Sequence, residues 1–144
     1  MTENETRTVM DGYLGSLRSR GDFAAFFAPD VLWTFMESGD QVRGRDAVRD
    51  LIVDMHTRAF DAHPELRSLA VGDGVAMVEV EFVGTHAGEF AGVPPTGLAV
   101  RLPYSVAYDV ADGAITALRA YFPTTVLLGQ LSEAARAAAS PAHV

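Results

Sequence analysis

The stretch VAMVEVEFVGTHAGEFAGVPPTG, residues 75–97, constrains this chain most, because a long alternating run passes directly into a loop punctuated by glycine and proline. Over residues 75–83, Val75, Met77, Glu79, Glu81 and Val83 share one face and Ala76, Val78, Val80 and Phe82 the other. That period of two is the signature of a strand. Burying two carboxylates would carry a large desolvation cost, so the even-numbered face is predicted to point inward. Carried through Gly84, the same parity turns His86 inward as well; a bulge at that glycine would reverse it.

At 144 residues, with 49% hydrophobic and 21% charged side chains, the chain can bury one core, and residues 1–144 are expected to form a single domain. Its net charge is −8, with eleven arginines and no lysine. Nucleic acid is not an expected partner, since phosphate binding needs clustered cations that displace counterions. An anionic membrane is disfavoured for the same reason. Cysteine is absent, which removes disulfides, thiolate metal ligands and a cysteine nucleophile. Residues 1–30 lack a basic start followed by an apolar core, and no run approaches the ~20 apolar residues of a membrane span. A cytoplasmic soluble protein is the expectation.

Val9, Tyr13, Leu14 and Leu17 form a helical stripe within residues 5–20, closed by Gly21 and Asp22. Residues 23–28 read as a short helix stopped by Pro29. Residues 31–36 read as a strand with Val31, Trp33 and Phe35 on one face, followed by a turn at Ser38-Gly39-Asp40 and a short return strand at 41–43. From 45 to 60, Val48, Leu51, Ile52, Met55 and Ala59 recur at helical spacing, with Asp46 at the favourable N-terminal end. His63-Pro64 is predicted to break that helix. Residues 65–71 form the next expected strand, and Asp73-Gly74 turns it into the central one.

Residues 99–110 place Val100, Leu102, Tyr104, Val106, Tyr108 and Val110 on one face, and Asp112-Gly113 turns the chain into 115–122, where Leu118, Ala120 and Phe122 share a face. The opposite faces carry Glu79, Glu81, Arg101, Asp109 and Arg119, placed for cross-strand charge pairs. Residues 124–139 read as a closing helix and 140–144 as a disordered tail. Helices first and a run of strands after give an α+β class, with helices packed on one face of a strongly curved, mainly antiparallel sheet.

The block GTHAGEFAGVPPTG at 84–97, the Asp112-Gly113 turn and the strand ending in RAYF resemble the SnoaL-like polyketide cyclase group of the nuclear-transport-factor-2-like (NTF2-like) superfamily. The opening helix, Gly21-Asp22 and GRDAV at 44–48 follow in matching order, so the resemblance spans most of the chain. It implies an NTF2-like conical barrel, commonly homodimeric, whose sheet wraps around N-terminal helices and encloses one deep pocket. Members close rings, isomerise, open epoxides or do no chemistry, and the cyclases work without a cofactor. Acids that many relatives carry on the last strand are replaced here by Ala117, Leu118, Ala120 and Pro123, none of which can exchange a proton. Tyr13 corresponds to the hydrogen-bonding tyrosine of ketosteroid isomerases, another branch of the superfamily. Their base position falls at Phe35 and their carboxylic-acid donor at Ser105 or Val106, so that reaction is not expected.

His86 is the ionisable side chain that strand parity sends toward the pocket, where desolvation keeps an imidazole neutral and able to act as a base. Against that, it belongs to a loop-shaping motif, and satisfying backbone groups of that loop is the competing reading. Tyr104 and Tyr13 are candidates to hold a substrate carbonyl or its enolate, and Tyr108 reads as aromatic core. Trp33, Phe35, Met55, Phe60, Phe82, Val106, Leu118 and Phe122 are the expected lining for a hydrophobic guest, and serve as well for core. Glu89 falls at the mouth or beside His86; His56 and His63 are placed on the surface, seven apart rather than at the spacing of a helical zinc site. No metal and no cofactor are expected, and no phosphate loop or nucleophile elbow is present. The expected function is a cofactor-independent cyclase or isomerase acting on a hydrophobic, carbonyl-bearing secondary metabolite. A non-catalytic carrier using the same pocket is the alternative.

Overall fold

The computed structural model of the protein describes residues 1–139, so the expected tail at 140–144 lies outside the described residues. The elements are α1 (Glu3–Arg18), β1 (Phe27–Phe35), β2 (Gln41–Arg43), α2 (Arg45–Val53), β3 (Phe60–Gly72), β4 (Val75–His86), β5 (Ala99–Ala111), β6 (Ala114–Tyr121) and α3 (Thr124–Ala139). One sheet in the order β2-β1-β6-β5-β4-β3 carries them, parallel between β1 and β6 and antiparallel elsewhere. The helices cover its inner face, which is the α+β arrangement expected. Among the described residues no helix is long and apolar enough to cross a membrane.

α1 starts where the Thr2 side chain accepts the Glu5 N–H, with Glu3 and Glu5 in its first turn and Arg18 in its last, all favourable to the helix dipole. Its stripe of Val9, Met10, Tyr13 and Leu14 is buried against the sheet. Thr6 is fully buried; its hydroxyl donates to the Thr2 carbonyl at 2.8 Å and accepts the Gly74 N–H at 2.9 Å, tying α1 to the β3–β4 turn. Thr6→Ala strips that donor of its acceptor and is expected to cost about 1–2 kcal/mol. A lower urea midpoint with an unchanged slope is the readout.

The parity of β4 holds through Gly84, which pairs with Ala62 on one side and Val100 on the other without a break. Ala76, Val78, Val80, Phe82 and His86 are all buried, while Val75 and Met77 are each 44% exposed. On the outer face Glu81 bonds Arg101 and Arg67, each at 2.7 Å, and Arg119 grips Asp109 at 2.7 and 3.0 Å. The expected cross-strand charge pairs thus form, apart from Glu79, which takes the Ser68 hydroxyl.

Three boundaries differ from expectation. The short helix at 23–28 is a 3-10 turn over Phe23–Phe26, and β1 starts at Phe27 and runs through Pro29. The ladder to β6 skips from Phe27 to Leu32, so the missing proline N–H falls in an irregular stretch. β3 begins at Phe60 and includes His63-Pro64. It is the sheet's last strand, where a residue lacking a donor is tolerated. Finally, α2 ends at Val53, and Asp54–Arg58 continue as a wider π turn.

Candidate active site

The concave face and α2 enclose an apolar cleft lined by Trp33, Phe35, Leu51, Ile52, Met55, His56, Phe82, Tyr104 and Phe122. Its volume is about 40 Å³, because the rings interlock across it. Phe122 meets Tyr104 at 5.1 Å and Phe82 at 5.6 Å between centroids. The deep pocket expected from the resemblance is therefore largely filled by its own lining. A roomier vestibule of about 230 Å³ adjoins the cleft, with Leu17, Arg18, Phe23, Arg49, Ile52, His56 and His63 in its lining. Ile52 and His56 line both spaces.

His56, expected on the surface, is half-buried and lines both. Val48, Ile52 and His56 recur every four residues, a signal legible in the sequence once the stripe is extended through a histidine. The π turn then closes with the Ala59 N–H on the Asp54 carbonyl at 2.9 Å, a distortion that often marks functional sites. His56 Nδ1 lies 2.7 Å from the Ile52 carbonyl. Only a protonated Nδ1 can donate there, so the neutral ring keeps its lone pair on Nε2. Nε2 is buried and has no hydrogen-bond partner. Burial holds this imidazole below its ordinary pKa, reinforced by the charges of Arg20 and His63 and opposed by the Ile52 carbonyl.

Tyr104 reaches the same cleft from β5, and burial pushes its phenol upward, so it stays a neutral donor. Tyr13 is 2% exposed and packed among Phe23, Phe27 and Tyr108, outside the cleft lining. Trp33, Phe35, Met55, Phe82 and Phe122 line the cleft, whereas Phe60, Val106 and Leu118 belong to the packed core. Trp33 Nε1 is a second buried polar atom without a partner.

His86 is fully buried on the inner side of the sheet but is not among the cleft-lining residues. Phe60 stands against it at 5.3 Å and against Phe82 at 5.1 Å. His86 Nδ1 accepts the Thr96 N–H at 3.1 Å, and the Thr96 hydroxyl lies 3.0 Å away. Its backbone exchanges bonds with Gly97 and Leu98, folding the loop back on the strand. The loop in turn grips the end of the π turn: the Ala87 and Gly88 N–H groups both reach the Ala59 carbonyl at 3.0 Å, and the Arg58 guanidinium donates to the Glu89 carbonyl at 2.9 Å. The Glu89 carboxylate accepts the Gly92 N–H, so it shapes the loop and does not orient the His86 ring.

The family model for the SnoaL-like polyketide cyclase matches residues 9–131. No curated protein sequence matches. Among solved structures, one assigned as a SnoaL-like polyketide cyclase from Jannaschia sp. CCS1 superposes with a TM-score of 0.80 at 18% identity, covering 91% of this chain and 94% of that one. AclR of Streptomyces galilaeus, assigned as a hydroxylase, gives 0.76 at 19% identity over 92% and 98%. A protein from Xanthomonas campestris pv. campestris, assigned as a polyketide cyclase, gives 0.74 at 20% over 90% and 98%. At such identities the structures establish the shared fold, and the match over residues 9–131 establishes descent: the chain belongs to the SnoaL-like polyketide cyclase family.

Proposed function

We propose that the protein is a cofactor-independent cyclase or isomerase for a hydrophobic metabolite bearing an enolisable carbonyl. The observation that supports this most directly is the buried, partnerless Nε2 of His56, on a residue that lines the same apolar cleft as Tyr104. An imidazole fixed as the Nδ1–H tautomer in a dry site is a base near neutral pH. A phenol kept protonated beside it can hold the oxygen on which charge develops. The vestibule holds the apolar body of the guest, and the cleft admits only its reactive end. His86, the base expected from strand parity, takes the role of loop anchor, and Tyr13 that of core.

A carrier is the second reading, favoured by one observation. The inward positions of β6, Leu118 and Ala120, are buried and apolar, so that strand adds no acid. A thermal-shift screen with polycyclic ketones, followed by product analysis on each hit, separates the two. Binding raises the melting temperature in either case; conversion is the expected result, and stabilisation with every ketone recovered unchanged would leave the carrier.

A further inference from the structure

The vestibule has apolar walls where Leu17, Phe23, Ile52 and Pro64 line it, but its arginines and acids are Arg18, Arg20, Arg49 and Asp22. That excess of cations reverses the balance of the whole chain, which carries 19 acidic and 11 basic side chains. Two of the arginines are already neutralised. Arg49 pairs with Asp46 at 3.4 Å and Asp50 at 3.0 Å, and Arg20 pairs with Asp61 at 3.4 Å while donating to the Ala62 carbonyl at 3.1 Å. Arg18 differs: exposed in the last turn of α1, it makes no hydrogen bond or ion pair among the described residues. Its position suits the helix dipole, yet that leaves its guanidinium donors unengaged by protein. Leu17, Arg18 and Pro64 also border a second hollow of about 20 Å³, which Tyr104 and Tyr108 line from the sheet. Part of the Arg18 side chain thus lies along the cavity wall although the residue is exposed. Long cationic chains do this when the stem covers apolar surface and the head stays at the water boundary. Positive potential reaches the inner wall too: burial is the main reason the His56 imidazole sits below its ordinary pKa, and Arg20 and His63 add to it.

Resting on the vestibule as the seat of the guest's apolar body, we infer that Arg18 is an ionic anchor for a carboxylate carried by that guest. Guanidinium and carboxylate form a charge-assisted, two-point hydrogen bond, and beside an apolar wall it is screened less than on open surface. Arg18 lines the vestibule and not the cleft, so the carboxylate belongs to the end of the molecule remote from the carbonyl that enters the cleft. The substrate class narrows to hydrophobic keto acids with the two groups at opposite ends. A cavity of about 230 Å³ suits a body of about two fused rings. The carboxylate is a spectator, since no bond to it forms or breaks. A chain of net charge −8 repels anions at long range, so a preference for one must arise locally.

2-Naphthoate and its neutral near-isostere 2-naphthamide test this by titration calorimetry near neutral pH. The wild-type protein is expected to bind the carboxylate about tenfold more tightly than the amide, and the advantage to shrink as salt is raised. The Ala24 methyl group lies in the vestibule lining but not in that of the cleft, and intermolecular NOEs to it from the naphthalene protons are expected to place the rings. Arg18→Gln removes the charge. Its melting temperature should match the wild-type value, its affinity for the amide should stay the same, and its affinity for the carboxylate should fall to within about twofold of the amide's. Arg7→Gln, on the same helix but outside the vestibule, makes the same change in net charge and should keep the full preference. Equal affinity for the two probes in the wild type, a preference that survives Arg18→Gln or is lost equally in Arg7→Gln, or no NOE to Ala24 would each overturn the anchor. Both probes binding alike with the Ala24 NOE present removes the carboxylate and keeps the seat. Neither probe binding up to its solubility removes the seat and the anchor with it. Conversion is not read, so a carrier and an enzyme give the same result.

Discussion

His56→Ala is expected to lower the rate of α-proton transfer at least 100-fold, the loss typical of removing a positioned general base. The reason lies in the imidazole's surroundings: Nδ1 is committed to the Ile52 carbonyl, and Nε2 is the ring nitrogen left without a partner. Stability should move little in the same variant, because an unpartnered buried acceptor leaves with the ring. A companion measurement uses pH. Burial, Arg20 and His63 hold the folded-state pKa of His56 below the ordinary imidazole value. The unfolded chain therefore takes up a proton first as pH falls. His56 contributes its full stability above the ordinary value, and that contribution drains away as pH drops toward the lowered folded value, with no further change below it. Melting temperatures from about pH 7.5 to about pH 5 should fall more steeply for the wild type than for His56→Ala, while activity persists below the ordinary imidazole pKa. A parallel pH dependence in the two proteins, or a rate within twofold of wild type, would remove His56 from the chemistry.

The largest expected effect on stability comes from Gly84→Ala. A Cβ built at Gly84 would lie 2.3 Å from the Asp61 carbonyl oxygen and 2.5 Å from the Ala62 side chain. Both belong to β3, whose residues 60–62 pair with 84–86. The two strands approach this closely only because a glycine sits between them, and the neighbouring group is backbone that cannot rotate away. Parting the strands is expected to cost roughly 3 kcal/mol and to lower the melting temperature by roughly 10 °C in a domain of this size. Gly129→Ala is the matched control. It lies in α3 with nothing within 4 Å of the added methyl, and helix propensity alone predicts a gain of about 1 kcal/mol. If Gly84→Ala melts with the wild type, the close approach does not hold the strands. Because Phe60 and Ala59 adjoin the same contact, the variant should also disturb the loop that secures the π turn.

The part of the fold carried by local pattern was legible in the sequence. Alternation in residues 75–83 gave the buried face of β4 because two glutamates cannot be hidden cheaply, and the structure continues that alternation to His86. The stripe of α1 and the apolar lining from Trp33, Phe35, Met55, Phe82 and Phe122 were legible from helical and strand periodicity in the same way. Pro29 and Pro64 misled because their effect depends on strand neighbours. A missing N–H ends a helix, yet it is harmless in an irregular ladder or on an outer strand.

The GTHAGEFAGVPPTG block identified the family, but its histidine secures the loop rather than lining the cleft. What that loop holds is the end of the π turn, and so, at one remove, His56. The sequence by itself determined which faces are apolar, where the turns fall and to which family the chain belongs, because these depend on periodicity and on short motifs. Only the tertiary structure decided which polar atoms are left without partners and how little room the rings leave between them. Burial and free volume are sums over residues far apart in the chain, and no local pattern encodes them.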